Sequence, residues 1–300
     1  MVKRRLDKNG LHLFDRSSGF NVLLDELNPP PGEWDRAPRY VSIALTNACE
    51  LKCEFCYAPK SPARLEAEAV VRWVRELDES GCLGVGFGGG EPTAHPRFVE
   101  ICQESSKTTS LAVTVTTHAH RFTDQLVRDL GDAVHFIRVS VDALESDYER
   151  IRGRSFEQLV KKLNTVSNAA PFGLNMVVGN SNLDQLGPMA KFADEVGADE
   201  LLLIPQHEVS GVEGISVPNL ERLAGWIKSY RGEVRLAVSR LGIPGGLPLA
   251  EPYGEDDPLS AHAHLDAFGQ VRTDAFAGKG VRVGESVVEA IDQLKKEGVW

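Results

Sequence analysis

The chain has 300 residues, 42% of them hydrophobic and 25% charged, a composition that excludes wholesale disorder. Its net charge of −10, from 33 basic and 43 acidic residues, argues against a nucleic-acid or anionic-membrane binder, because both need a basic footprint. No apolar run reaches the length of a membrane span, and no signal-peptide apolar segment follows the basic start Met1-Val2-Lys3-Arg4-Arg5-Leu6, so a cytoplasmic protein is expected.

Residues 11–25 read as a hairpin, with a turn at Arg16-Ser17-Ser18-Gly19. Pro29-Pro30-Pro31-Gly32 follows and reads as a linker. From about Tyr40, short β-branched runs alternate with helical periodicity. The pattern predicts strands at 41–45, 83–87, 111–116, 135–141, 174–178 and 201–204. Helices are predicted at 66–78, 97–105, 123–129, 156–168, 183–196 and 219–229. Such alternation means an α/β fold, here a partial (β/α)6 parallel barrel, with its active site at the carboxyl ends of the strands. The end of the chain breaks the rhythm. A Gly/Pro-rich stretch at 242–258, two short strand-like runs and a helix near 286–295 suggest a small α+β extension. Three regions are therefore expected: 1–39 as hairpin and linker, 40–241 as barrel, and 242–300 as extension.

Five cysteines are an odd number, and three fall within eight residues, Cys49-Glu50-Leu51-Lys52-Cys53-Glu54-Phe55-Cys56, just after the first barrel strand. Clustered thiols in a reducing compartment point to metal or catalysis rather than to a disulfide framework. Three thiolates on one loop can hold three corners of an iron–sulfur cube and leave one iron open. A structural zinc site completed by His95 or Cys82 is the other metal reading, although zinc usually shows paired C-x-x-C hooks. Cys82 and Cys102 lie near a helix end and within a helix, and read as core filling.

Gly88-Gly89-Gly90-Glu91-Pro92 follows the second strand. Glycines let a backbone approach a ligand closely, and Glu91 offers an acceptor for a cationic amine. The bland alternative is a glycine-rich turn with a solvated Glu. The G-x-G-x-x-G at 84–89 is not a dinucleotide signature, since its glycines run through a strand and no helix opens after them. The third strand ends in Thr116-Thr117-His118-Ala119-His120, where the H-x-H pair has the look of a hydrolase metal hook. Among later strand ends, only His207 offers a well-placed further histidine. The fourth strand carries Arg138-Val139-Ser140-Val141-Asp142, with Arg152 beyond it. An arginine fork suits a carboxylate, while strand-end capping beside a surface arginine is the plainer account.

Over residues 40–205 these segments resemble the radical S-adenosylmethionine (SAM) superfamily. The C-x-x-x-C-x-x-C spacing, the aromatic Phe55 before the last cysteine, the place after the first strand and the Gly-Gly-Glu-Pro run carry the resemblance. It implies one [4Fe-4S] cluster on Cys49, Cys53 and Cys56, with SAM chelating the open iron. It also implies the SAM amino group at Gly89, Gly90 and Glu91, and the carboxylate and ribose near Ser140, Asp142 and Arg152. Asn175 and Ile204 would touch the ribose and adenine. An electron from a donor such as flavodoxin or ferredoxin would cleave SAM to methionine and a 5′-deoxyadenosyl radical, which takes hydrogen from substrate. Tyr57, His118, His207 and Glu208 are expected to face that substrate, from position alone. Relatives often carry Thr-Asn-Gly where this chain has its H-x-H pair.

Residues 262–274 resemble the hairpin of the family's SPASM or twitch module, and 280–290 the loop and helix after it. No cysteine follows Cys102, so an extension without cluster ligands is expected, with His262, His264, Asp266 and Asp274 as solvated turn residues and metal binding by them as the alternative. No cobalamin-domain pattern is present, which disfavours methylation. The hairpin and module-like tail resemble enzymes that modify ribosomally made peptides, and the hairpin edge suits a leader peptide added as a strand. A peptide side chain is therefore the expected substrate, and a small metabolite such as a nucleotide the alternative. A zinc-stabilised, non-catalytic partner-binding barrel is the reading of another class.

Overall fold

Three antiparallel strands, rather than a hairpin alone, open the chain: β1 (Lys3–Asp7), β2 (Gly10–Asp15) and β3 (Phe20–Leu24). The computed structural model describes residues 2–209, 211–239, 247 and 258–298. β1 escapes a search for hydrophobic alternation because its inward positions are Lys3, Arg5 and Asp7, all buried.

The barrel follows as β4 (Tyr40–Thr46), α1 (Ala67–Glu79), β5 (Gly84–Gly89), α2 (Phe98–Thr108), β6 (Ala112–Thr117), α3 (Asp124–Leu130) and β7 (Phe136–Ser140). It continues through α4 (Glu145–Arg152), α5 (Phe156–Ser167), β8 (Phe172–Val178), α6 (Leu186–Glu195), β9 (Glu200–Pro205), α7 (Val217–Ser229) and β10 (Arg235–Val238). All six expected strands form, and β4 to β9 pair in parallel in chain order. β8 is buried at every position but one, while β6 and β7 alternate, burying one face and turning the other, with Thr116 and Ser140, to the cavity. The helices turn apolar stripes inward, such as Val70, Trp73, Val74 and Leu77 of α1.

The sheet is wider than expected. β10 adds to β9 in parallel. At the other edge come α8 (Pro258–Ala261), β11 (His262–Leu265), β12 (Gln270–Arg272), β13 (Val281–Arg282) and α9 (Val287–Lys296). β11 pairs in parallel with β4, then β12 and β13 continue antiparallel, giving the order β10-β9-β8-β7-β6-β5-β4-β11-β12-β13. Among the described residues the end strands β10 and β13 do not pair, so the barrel is partial. The expected boundary at 241 and most of the stretch at 242–258 lie outside the described residues. α4 is a further addition; only Tyr148 is buried on it, so no apolar stripe announces it. No helix among the described residues is long and apolar enough to cross a membrane.

The small sheet covers the amino-terminal end of the barrel strands. Arg5 Nη1 donates to Ala37 O (2.6 Å) and Gly81 O (3.0 Å), and Arg5 Nε to Asp7 Oδ2 (3.1 Å). Arg39 Nη1, at the foot of β4, donates to the same Asp7 oxygen (3.2 Å). Arg16 donates to the carbonyls of Ser106 (2.9 Å) and Thr109 (2.8 Å), between α2 and β6. Buried charges of this kind specify where two layers meet, because each needs its own partner.

Arg5→Met should lower the urea midpoint of unfolding by an amount equivalent to about 3–5 kcal/mol, since Asp7 and two carbonyls lose a buried donor. Burial raises the Asp7 carboxyl, but the Asn9 N–H and the Arg5 and Arg39 charges outweigh it and hold it below its ordinary value. The stabilisation is present above the unfolded carboxyl value and lost as pH falls through the folded one. The gap between wild type and variant should therefore narrow below about pH 4.

Candidate active site

Cys49, Cys53 and Cys56 are free thiols on the loop after β4, and all three line one cavity of about 340 Å³ at the carboxyl ends of the strands. The loop is pinned to β5 by backbone bonds from Gly90 N to Thr46 O (2.7 Å) and from Glu91 N to Ala48 O (2.8 Å). That approach requires glycine. A Cβ on Gly89, which has φ +116°, would sit 2.4 Å from Thr46 O, and one on Gly90 would sit 2.4 Å from Ala48 O. The bare backbone thus serves the entry to the cysteine loop as well as the cavity wall, which Gly88, Gly89 and Gly90 form.

Every site residue expected from the sequence lines this cavity except Glu91 and Glu208. Glu91 is fully buried behind the glycine wall. Its Oε1 accepts from Thr93 N (3.2 Å), Thr93 Oγ1 (2.6 Å) and Thr117 Oγ1 (2.7 Å), and its Oε2 from His118 N (3.0 Å). Glu91 ties β5 to β6 from behind the cavity wall, and its part as an acceptor for the SAM amine stays an expectation. A buried carboxylate needs such donors. Glu91 is not a solvated turn residue.

Asp142 plays the matching part at β7. It is fully buried, with φ 65°. Oδ1 accepts from Val177 N (2.8 Å) and Oδ2 from Arg152 Nε (2.5 Å). Arg152 Nη1 then reaches Cys53 Sγ at 3.6 Å, and its guanidinium carbon lies 5.7 Å from the centre of the Phe55 ring. α4 thus delivers an arginine to the cysteine loop, in place of the surface arginine of the plainer reading. Burial pushes the Cys49 and Cys53 thiols up, so binding iron as thiolates would release protons. Asn175 Oδ1 is buried in the wall without a hydrogen-bond partner. Three free thiols lining one cavity, a bare glycine wall and an orphaned amide oxygen fit a thiolate-held cluster beside a polar cosubstrate.

The competing metal readings meet a different geometry. His120 Nε2 is hydrogen-bonded to the Tyr148 hydroxyl (2.7 Å) and His118 Nδ1 accepts from His120 N (3.1 Å), so one ring nitrogen of each is taken up within the protein, and the ligand group that forms around His118 does not include His120. His95 Nε2 donates to Leu65 O (2.9 Å) while its Nδ1 accepts from Arg97 N (3.1 Å). Cys82 and Cys102 are wholly buried in the core. Among the described residues, the one convergence of three potential ligands is Cys49, Glu50 and His118.

The outer wall was not visible in any motif. Phe276, from the loop after β12, stacks on His207 with ring centres 4.3 Å apart and lies 5.7 Å from Tyr57. His264 of β11 meets Tyr57 edge-on at 6.1 Å. Phe276 borders the cysteine cavity, a second of about 330 Å³ that holds Glu208, and a third of about 1310 Å³ reaching down to Arg16. The turn role expected for Asp266 holds, with Oδ1 accepting from Phe268 N and Gln270 N. His264 instead lies in a strand and bonds through Nδ1 to Ser42 Oγ (2.8 Å).

A family model for the radical SAM superfamily matches residues 43–193, half of the chain. The AdoMet-dependent heme synthase of Methanosarcina barkeri is 25% identical over 81% of this chain and 73% of its own length. The PqqA peptide cyclase of Streptomyces rochei is 29% identical over 79% of this chain and 66% of its own. The chain spans between about half and three quarters of the length of these and other curated relatives that it matches. Among solved structures, Streptococcus suis SuiB bound to precursor peptide SuiA shares the fold with a TM-score of 0.76 at 17% identity, over 98% of this chain and 87% of that one.

Burial first, and then the His262 charge, push His264 down to about 4, so it is neutral at pH 7. An unfolded histidine takes up its proton near pH 6.5 and the folded one does not. Stability is therefore full above about pH 6.5 and lost towards pH 4, by up to about 3 kcal/mol. Urea midpoints measured at pH 7 and pH 5 should show this fall in the wild type and a smaller one in His264→Gln.

Proposed function

This chain belongs to the radical SAM superfamily, and we propose that it is a peptide-modifying enzyme of that family. The carrying observation is the meeting of three free cysteines, the glycine wall and the Asp142–Arg152 pair in one cavity, with wider cavities beyond Phe276. When bound, a [4Fe-4S] cluster on Cys49, Cys53 and Cys56 and SAM at its open iron together supply a 5′-deoxyadenosyl radical that takes hydrogen from substrate.

The residues of the chain bind, orient and seal. The backbone of Gly88 to Gly90, which lines the cavity, would hold the methionyl amine. Ser140 and Arg152 lie on the side where a carboxylate and ribose are read, and Phe55 with Arg152 flanks the cysteines. Asn175 offers its unpartnered oxygen to the ribose, and Ile204 an apolar edge to the adenine. Tyr57, His207 and Phe276 stand between this space and the outer cavities, where they exclude water and meet the substrate. His118 belongs to the cysteine side, and Glu208 to the outer cavity.

Similarity to a PqqA peptide cyclase, and the fold shared with SuiB bound to its precursor peptide, support the peptide reading. β3 is an edge strand with exposed Phe20 and Leu24, suited to a leader added as a strand. Similarity to the heme synthase favours the second reading, a small metabolite. Free thiols suit a reducing cytoplasm, and a flavodoxin or ferredoxin is the proposed electron donor.

Anaerobic reconstitution should load about four irons per chain. Dithionite and SAM should then yield 5′-deoxyadenosine, and Cys53→Ala should abolish both signals. Full iron loading without deoxyadenosine would overturn the chemistry. A candidate precursor peptide should change mass only when SAM is present; an unchanged peptide beside a modified metabolite would favour the second reading.

A further inference from the structure

His118 follows β6 directly and is 4% exposed. Because its Nδ1 accepts the His120 backbone N–H, the neutral ring carries its proton on Nε2. The ring is held in place: it lies 5.4 Å from His120, which is itself hydrogen-bonded to the fully buried Tyr148. Yet His118 Nε2 is buried without a hydrogen-bond partner. Two carboxylate oxygens are close, Glu91 Oε2 at 3.3 Å and Glu50 Oε2 at 3.4 Å, but neither makes a hydrogen bond with it. Glu91 Oε2 already accepts the backbone N–H of His118. On the Glu50 side, a ring nitrogen of His118, a Glu50 oxygen and Cys49 Sγ lie within 4.8 Å of one another.

This fixed donor lies at ion-pair distance from two carboxylate oxygens without hydrogen-bonding to either, and it is also close to a sulfur that becomes a thiolate in the holoprotein. We infer that His118 Nε2–H serves the Cys49 sulfur of the bound cluster, as a positioning residue that raises the cluster's reduction potential. Reduction adds negative charge that spreads onto the ligand sulfurs, and a hydrogen bond to sulfur stabilises the reduced form more than the oxidised one. Cys53 already has such a donor in Arg152, at 3.6 Å. Cys49 and Cys53 would then each be supported from outside the cysteine loop, by β6 and α4. The inference rests on the cluster-binding reading of the three cysteines and is independent of substrate.

The test is a redox titration of the anaerobically reconstituted protein, followed by electron paramagnetic resonance, with neither SAM nor substrate present. His118→Leu removes the donor, and His118→Gln keeps an N–H of similar reach. At a fixed poise the ratio of reduced to oxidised cluster should fall about tenfold in His118→Leu, or about 59 mV for one electron, and by less than about threefold in His118→Gln. The inference is overturned if His118→Leu titrates with the wild type, or if His118→Gln falls as far as His118→Leu. Should His118→Leu lose its iron, retention of iron by His118→Gln supports the donor role, and loss by both overturns it. Failure of the wild type to load iron would instead sink the cluster reading itself.

Discussion

A carboxylate sealed away from water must be met by donors, and the cavity is organised around two that are. Glu91 and Asp142 are both fully buried, one after β5 and the other after β7. Glu91 draws in Thr93, Thr117 and the His118 backbone, and so fixes the ends of β5 and β6 relative to each other. Asp142 draws in Val177 N and Arg152, which ties β7 to β8 and brings α4 over the cysteine loop. An uncompensated charge at either place would cost several kcal/mol. The donors are therefore obligatory, and the strand ends that carry them hold one arrangement. Ser140 and Asn175 reach the cavity from strands registered in this way.

The glycine run acts through the same economy of space. Gly89 and Gly90 are needed where the backbone of Thr46 to Ala48 passes within contact distance, at the very start of the cysteine loop. A side chain there would push that loop off β5 before any ligand arrived. The motif reading placed these residues against a bound cosubstrate. The structure adds that they let the entry to the cysteine loop lie against β5, so one constraint covers two tasks.

The barrel was legible because its strands are short β-branched runs and its helices are apolar on one face, which is what periodicity detects. The cysteine loop was legible because three thiols at short spacing are rare without a purpose. What escaped did so for identifiable reasons. β1 turns Lys3, Arg5 and Asp7 inward, reversing the usual sign of the pattern. α4 buries only Tyr148. β10 is four residues long, too short for an alternation to stand out. The structural ties that Glu91 makes to Thr93, Thr117 and the His118 backbone were not legible, because a sequence does not reveal which way a carboxylate faces. Phe276 and His264 reach the cavity from more than two hundred residues away in the chain, through a sheet pairing that local spacing does not encode.

That pairing assigns a physical role to the extension. β11 joins β4 in parallel, so the strand that leads into the cysteine loop is flanked on both sides, by β5 and by β11. Ser42 on β4 bonds to both His262 and His264 of β11, which ties the two strands by side chains as well as by backbone. α9 then closes over α1, where the Glu76 carboxylate accepts Val287 N (2.9 Å) and Val288 N (3.3 Å) at the helix start. The loop bearing Phe276 is anchored at its root by Arg272, whose Nε donates to Asp266 Oδ2 (2.8 Å) and Nη1 to Ala277 O (2.6 Å). An aromatic wall on a loop braced in this way is pre-organised, so little ordering cost remains when a substrate meets it. The extension is thus part of the cavity's construction: it braces the strand that presents the thiols and supplies the ring facing them.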